Sequence, residues 1–332
     1  MELVPCPING NRDFKPILEA PDRFTLSGPM WTLVRSSSGL VMLNPRPEAA
    51  EASRYYPEQA YDPFLHSGNC STLRDRAYLY LSSLLLAWKA GIVMNGLSKT
   101  TASVRVLEAG CSTGRLLLRL HKDYGIPLQN LCGIEPDRQA AAVATAAGLC
   151  RISGADLSET TFNGRFDRIV FWHSLEHLHK VEKALEKAHE LLEPDGMVVI
   201  ALPNIESDDS GRYGANWIAL DAPRHLYHFT PDTLGQLLKK HGFSILDIRA
   251  FVPDAIYNVW YSEKLESRRT GQDFGIRSAS RAATRTVSSV MAGLDPRKAS
   301  GFICRAVRTD QDLRSSGLTR PNDFSISAAA TR

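Results

Sequence analysis

The stretch Val104-Arg105-Val106-Leu107-Glu108-Ala109-Gly110-Cys111-Ser112-Thr113-Gly114-Arg115 constrains this chain more than any other. An apolar strand ends on a glycine, a tight turn follows, and a helical pattern begins. Glycine has no Cβ, so the backbone at Gly110 turns sharply and a ligand can lie against it. The N–H groups at a helix start then offer donors to that ligand. Roughly 20 residues past Gly114, the next strand ends in Gly133-Ile134-Glu135-Pro136-Asp137, where an acid accepts both hydroxyl hydrogens of a ribose. A glycine turn followed by a ribose acid describes a nucleoside-containing cofactor at the carboxyl edge of a parallel sheet.

The surrounding pattern agrees. Strands are predicted at Val104–Ala109, Leu131–Glu135, Leu149–Ser153, Phe166–Trp172 and Met197–Leu202, with helices at Gly114–Asp123, Asp137–Ala147 and Leu178–Leu192. In the last helix Leu178, Val181, Leu185, Ala188 and Leu192 share one face. This alternation predicts an α/β fold with a parallel sheet covered on both faces. A long loop from Pro203 to Phe229 leads to a helix with Thr230 as N-cap and Pro231 at its first position. A strand at Phe243–Val252, helical inserts over about 253–295 and a last strand at Phe302–Val307 follow. The chain is divided as 1–69, 70–308 and a disordered tail at 309–332, rich in Ser, Thr, Ala and Arg.

Composition removes other classes. The 332 residues are 43% hydrophobic and 23% charged, which excludes a wholly disordered chain, a collagen and a coiled coil. A net charge of +3, from 39 basic and 36 acidic side chains, gives no overall basic field, so no nucleic-acid partner is expected. Six cysteines are too few for a disulfide framework. The start, Met1-Glu2-Leu3-Val4-Pro5, lacks a secretory pattern. The apolar window from Ala77 to Met94 is interrupted by Lys89 and reads as a buried helix, not a membrane span. The expected location is the cytoplasm.

The charge around the turn selects the cofactor. A dinucleotide fingerprint needs G-x-G-x-x-G, and the turn Gly110-Cys111-Ser112-Thr113-Gly114 lacks that spacing. Glu108 stands two residues before the first glycine; a carboxylate repels a pyrophosphate and attracts a sulfonium or an amino group. S-adenosylmethionine is therefore favoured over NAD. Here the chain resembles the class I S-adenosylmethionine-dependent methyltransferases, whose first motif reads E-x-G-x-G-x-G. It matches at Glu108, Gly110 and Gly114, with Ser112 at the middle glycine, which predicts altered affinity and not its loss. The resemblance runs from about Ser103 to Val307. It includes Glu135, Asp156 in Gly154-Ala155-Asp156-Leu157, the strand Phe166-Asp167-Arg168-Ile169-Val170 and Leu192-Glu193-Pro194-Asp195-Gly196. It implies a Rossmann-like parallel sheet with an antiparallel last strand. It also implies cofactor contacts at Glu108, Gly110, Cys111, Ser112, Gly114, Glu135, Pro136, Asp156, Leu157 and Trp172, with Asp156 on the adenine amino group.

The N-terminal pieces Cys6-Pro7-Ile8-Asn9-Gly10 and Arg35-Ser36-Ser37-Ser38-Gly39 resemble the two knuckles of a small zinc ribbon found before some of these enzymes. The ligand positions would hold Cys6, Asn9, Arg35 and Ser38, leaving one thiolate, so the ribbon shape is expected without metal. His173-Ser174-Leu175-Glu176-His177 fits the inverted zinc-protease pattern, but His173 follows a strand directly, so no metal ligand set is expected there. The same stretch resembles the family's loop beside the methyl group, and Trp217–Phe229 resembles its substrate-facing segment. His173, His177, His225 and His228 are the candidate catalytic residues, His225 or His228 as general base for a hydroxyl nucleophile. The expected function is methyl transfer to a small-molecule acceptor, with O-methylation favoured and C- or N-methylation open. A non-catalytic cofactor-binding protein and an NAD-dependent dehydrogenase are the alternatives. The oligomeric state is open.

Overall fold

The computed structural model describes residues 1–25, 28–56 and 73–309. In chain order it contains β1 (Phe14–Pro21), β2 (Met30–Ser36), β3 (Val41–Leu43), α1 (Leu73–Met94), β4 (Val106–Ala109), α2 (Arg115–Tyr124), β5 (Leu131–Ile134), α3 (Arg138–Ala146) and β6 (Ile152–Ser153). Then come β7 (Phe166–Trp172), α4 (Val181–Leu191), β8 (Leu192–Pro203), α5 (Asp208–Tyr213), β9 (Tyr227–His228), α6 (Pro231–Lys240), β10 (Phe243–Ala250), α7 (Val252–Arg269), α8 (Ile276–Ala292) and β11 (Gly301–Arg308).

The larger sheet has the order β10-β11-β8-β7-β4-β5-β6. Strands β4, β5, β6, β7 and β8 run parallel, and β11 is antiparallel to both β8 and β10. This is the Rossmann-like arrangement with an antiparallel last strand that the sequence predicts. Central β7 has every residue buried, as helices on both faces require. In α4 the buried residues Val181, Ala184, Leu185, Ala188 and Leu191 recur at helical spacing. The Asp137 side chain caps α3 by accepting from the Ala140 N–H at 2.7 Å, and Thr230 caps α6.

Boundaries moved where burial decided them. The expected strand from Leu149 shrinks to Ile152–Ser153, because Leu149 packs into the core behind Gly114. The strand expected to reach Val252 stops at Ala250, where α7 begins. The fifth strand starts at Leu192, not Met197. Helix α1 is only half buried: Ala90 and Val93 are in the core, while Tyr80, Leu81, Leu84 and Trp88 are exposed. The window of mixed polarity reflects a helix with an open face. Among the described residues, no helix is long and apolar enough to cross a membrane. The expected boundary near residue 70 and the tail from 310 onward lie outside the described residues.

The smaller sheet, β1-β2-β3-β9, joins the first fifty residues to the loop after β8. Val41 and Met42 pair with His228 and Tyr227, and one apolar core runs from Cys6 through Phe171 to Cys304. Its two turns do meet: Cys6 Sγ lies 3.3 Å from Ser38 Oγ, and Asn9 Nδ2 donates to Ser37 Oγ at 2.9 Å. Arg35 turns away to the Glu206 carboxylate, 3.3 Å distant.

Buried charge holds these parts together. Arg224 is 2% exposed; its guanidinium meets Asp22 at 2.7 Å and Asp221 at 2.7 Å and donates to the Tyr55 carbonyl at 2.7 Å. Arg168, also buried, donates to the Val93 and Asn95 carbonyls and pins the C-terminal end of α1 to the sheet. Removing one partner of a buried pair strands the other charge in a low dielectric. Arg224→Met is therefore expected to destabilise the fold by about 3–5 kcal/mol, read as a lower urea midpoint.

Candidate active site

The carboxyl ends of β4, β5 and β7 form the site. Gly110 ends β4 with φ 78°, and its N–H and that of Cys111 both donate to the Ile134 carbonyl, at 2.8 and 3.0 Å. A Cβ at Gly110 would stand 2.6 Å from the Ser174 Cβ. The glycine's missing Cβ makes room for Ser174, whose Oγ donates to the Ala109 carbonyl at 2.6 Å. Gly114 is the left-handed N-cap of α2, and its missing Cβ is replaced by Leu149 and Ala144. The Cys111 thiol likewise turns inward onto Gly133 in the core, so it offers no side chain to the cofactor.

Among the described residues, three that are not glycine have a positive φ: Ser112 at 48°, His173 at 50° and Asp221 at 35°. Left-handed backbone is costly for a residue with a Cβ and clusters at functional sites. All three lie in segments the sequence singles out. Ser112 keeps the conformation of the glycine it replaces, and its N–H donates to Glu135 Oε2 at 2.8 Å. The other Glu135 oxygen accepts from the Asp137 N–H at 2.8 Å. Two backbone donors therefore fix the carboxylate, and each oxygen keeps lone pairs with which to accept further hydrogen bonds.

Glu108 is 5% exposed, and its Oε2 has no hydrogen-bond partner. Burial lifts its carboxyl to about 8 from an ordinary value near 4.5, against the pull of Lys89. Lys89, on α1, lies over the Trp172 ring at 4.6 Å, and burial lowers its ammonium to about 8. Trp172 ends β7, buried, and meets Phe251 edge-on at 5.4 Å. Asp156 accepts from the Ser158 N–H at 2.8 Å with one oxygen, Leu157 is buried beside it, and Pro136 is exposed next to Glu135. Lys89 was read from the sequence only as a break in an apolar run. A lysine inside an otherwise apolar helix was the available signal.

The H-x-x-E-H pattern does not form on a helix. His173 sits at the end of β7 and points its Nε2 at Asp254 Oδ1, 3.3 Å away. Burial opposes its charge, but Asp254 and Glu176 outweigh that and raise the imidazole to about 9. His177 lies on a single turn after the strand, and its Nδ1 is 3.1 Å from both the Tyr56 hydroxyl and the Arg224 carbonyl. His225 meets His177 edge-on, ring centroids 4.6 Å apart, and His228 is 6.2 Å further on. Burial, with a neighbouring imidazole, lowers His225 to about 4 and His228 to about 3. Both are nearly inaccessible and weakly basic. Asp254 and Tyr56, which nothing in the sequence marks, complete the group.

This geometry fits an adenosyl cofactor better than a dinucleotide: an orphaned buried acid, a second carboxylate held on backbone donors, and protein side chains where a pyrophosphate would need bare glycine. Comparison with known proteins agrees. The profile described as a methyltransferase domain matches residues 72–248, just over half of the chain, and the chain belongs to that family. The orphaned Glu108 oxygen and the Glu135 carboxylate fit S-adenosylmethionine as the methyl donor. Solved structures of similar fold include a mycolic acid cyclopropane synthase complexed with SAH, at 16% identity and TM-score 0.49, covering 79% of this chain and 98% of that one. Another is the geranyl diphosphate C-methyltransferase from Streptomyces coelicolor A3(2), at 12% identity and TM-score 0.48, covering 73% of this chain and 86% of that one. A third is the cyclopropane synthase MmaA2 from Mycobacterium tuberculosis, at 16% identity and TM-score 0.45, covering 66% and 82%. No curated protein matches the sequence.

Two variants test this site. Folding raises the Glu108 carboxyl, so its contribution favours the fold below pH 4.5 and is lost as pH rises towards 8. Glu108→Gln is expected to be more stable than the parent in urea unfolding between pH 5 and 8, by at most roughly 1.4 kcal/mol per pH unit, and to differ little near pH 4. The same variant should bind S-adenosylmethionine about tenfold to a hundredfold more weakly by calorimetry. Gly110→Ala combines left-handed strain with the Ser174 clash and is expected to cost at least about 2 kcal/mol in urea unfolding, with loss of cofactor binding.

Proposed function

We propose that this protein transfers a methyl group from S-adenosylmethionine to an oxygen of a small-molecule acceptor. The observation that carries the reading is the buried Glu108 oxygen without a partner, at the strand end where the amino group of the cofactor would need one. In this reading Glu135 takes the ribose hydroxyls, Asp156 the adenine amino group, and Lys89 the carboxylate of the methionine moiety.

The chemistry is an in-line displacement. A lone pair on the acceptor oxygen forms the O–CH3 bond, the C–S bond breaks, and its electrons return to sulfur, leaving S-adenosylhomocysteine. The acceptor hydroxyl gives its proton to solvent. His173, cationic at neutral pH beside Asp254, supports this by lowering the pKa of a hydroxyl placed against it. An acceptor with an acidic hydroxyl, a phenol or an enol, suits such a site. His225 and His228, buried and weakly basic, are poor general bases, and proximity supplies most of the remaining rate.

The test is turnover of S-adenosylmethionine to S-adenosylhomocysteine across acceptors bearing phenol, alcohol, amine and activated carbon nucleophiles, with products located by mass spectrometry. Phenol methylation, reduced at least tenfold in His173→Ala with cofactor affinity kept, is the expected outcome. Cofactor binding without turnover on any of these would favour a non-catalytic role.

A further inference from the structure

We propose that Glu176, His177 and His225 form a binding site for a divalent transition-metal ion such as zinc, beside the methyl-donor site. The sequence reading counts none of these residues as ligands, and their separation in the chain hides the set. The fold brings them together. One ligand atom from each lies within 4.8 Å of the other two, the one such group of three among the described residues. Two ligands at about 2.1 Å from one ion stand roughly 3.4 Å apart, so small side-chain rotations close the set.

Two independent features point to a cation. First, Glu176 is 1% exposed, and neither of its carboxylate oxygens has a hydrogen-bond partner. The nearest charge is His173 Nδ1 at 3.8 Å, beyond hydrogen-bond reach. A buried carboxylate with both oxygens unbonded is costly, and coordination is one of the few ways to satisfy it. Second, both imidazoles are set as ligands. The Nδ1 of His225 is 2.8 Å from the Ala219 carbonyl, and that of His177 is 3.1 Å from the Arg224 carbonyl. A carbonyl only accepts, so each Nδ1 is placed to donate and Nε2 is the nitrogen left to face an ion, with the Tyr56 hydroxyl also 3.1 Å from His177 Nδ1 and Asp221 Oδ2 3.9 Å from His225 Nε2. This is the outer support that metal-binding histidines have, with a backbone carbonyl fixing tautomer and ring plane. The Leu226 N–H also donates to the Glu176 carbonyl at 2.8 Å, tying the two ligand-bearing segments together.

Two imidazoles and one carboxylate suit zinc, iron(II) or cobalt(II), not calcium or magnesium. Three protein ligands leave positions for oxygen donors of the acceptor. Glu176 and His177 lie four and five residues beyond Trp172, just after the Ser174 that packs against Gly110, and His225 lies on the loop before β9. Binding of the ion stands apart from the methyl-transfer reading; only its use with an acceptor oxygen rests on that reading.

The experiment uses the full chain, stripped with a chelator and titrated with zinc chloride alone, and separately with cobalt(II) followed by absorbance. One zinc per chain is expected, with cobalt bands free of thiolate charge transfer. Glu176→Gln and His225→Ala should each weaken zinc at least tenfold with unchanged circular dichroism, while Cys6→Ser keeps it. Absence of stoichiometric zinc on the folded parent would overturn the proposal. So would a thiolate band moving the ion to Cys6, or zinc affinity indifferent to both variants. Because the parent titration needs no variant, misfolding of either leaves the test intact. Cofactor binding, measured by calorimetry with and without zinc, reports on the methyl-transfer reading separately.

Discussion

The contact of Ser174 with Gly110 sets the rest of the site. Two neighbouring parallel strands, β4 and β7, end side by side, and each must turn without colliding with the other. Gly110 offers the empty space, His173 accepts a left-handed backbone, and the Ser174 hydroxyl closes the gap onto the Ala109 carbonyl. That lock fixes where Glu108, two residues earlier, and Trp172, two residues before Ser174, stand relative to each other. A cofactor site on an open α/β sheet lies in the crevice beyond the carboxyl ends of its strands, and here that crevice is shaped by one missing methyl group.

Charge is the second organising element. The site buries acids at Glu108, Glu176 and Asp221 and answers each differently. Asp221 is held ionised, well below the usual carboxylate range, by Arg23 and Arg224 despite its burial. Glu176 is also held below the usual carboxylate range in spite of burial, chiefly by His173 3.8 Å away. Glu108 has only Lys89 to offset its burial and shifts upward. An unsatisfied acid at a ligand edge is a cost the folded chain carries alone, and a bound ammonium or sulfonium relieves it.

The N-terminal segment contributes to the same end of the molecule. Its sheet is completed by His228 and Tyr227, its Asp22 pairs with Arg224, and Tyr56 reaches His177. The loop that carries His225 is therefore braced from one side by the first fifty residues and from the other by the large sheet.

The sequence by itself determined the parallel sheet, the order of its strands and helices along the chain, the glycine turn and the acid at the end of the next strand. Those depend on local periodicity and on backbone geometry that only certain residues permit, so Gly110, Glu108 and Glu135 were legible. Tertiary structure decided what fills the space around them. It showed that the bare face of Gly110 serves Ser174, that Cys111 points into the core, and that Lys89 leaves an apolar helix to meet Trp172. It also decided that His177 and His225, 48 positions apart, each bring a ring nitrogen within 4.8 Å of one carboxylate. No periodicity records such a meeting, because it follows from how two loops pack at one sheet edge and not from the order of residues within either.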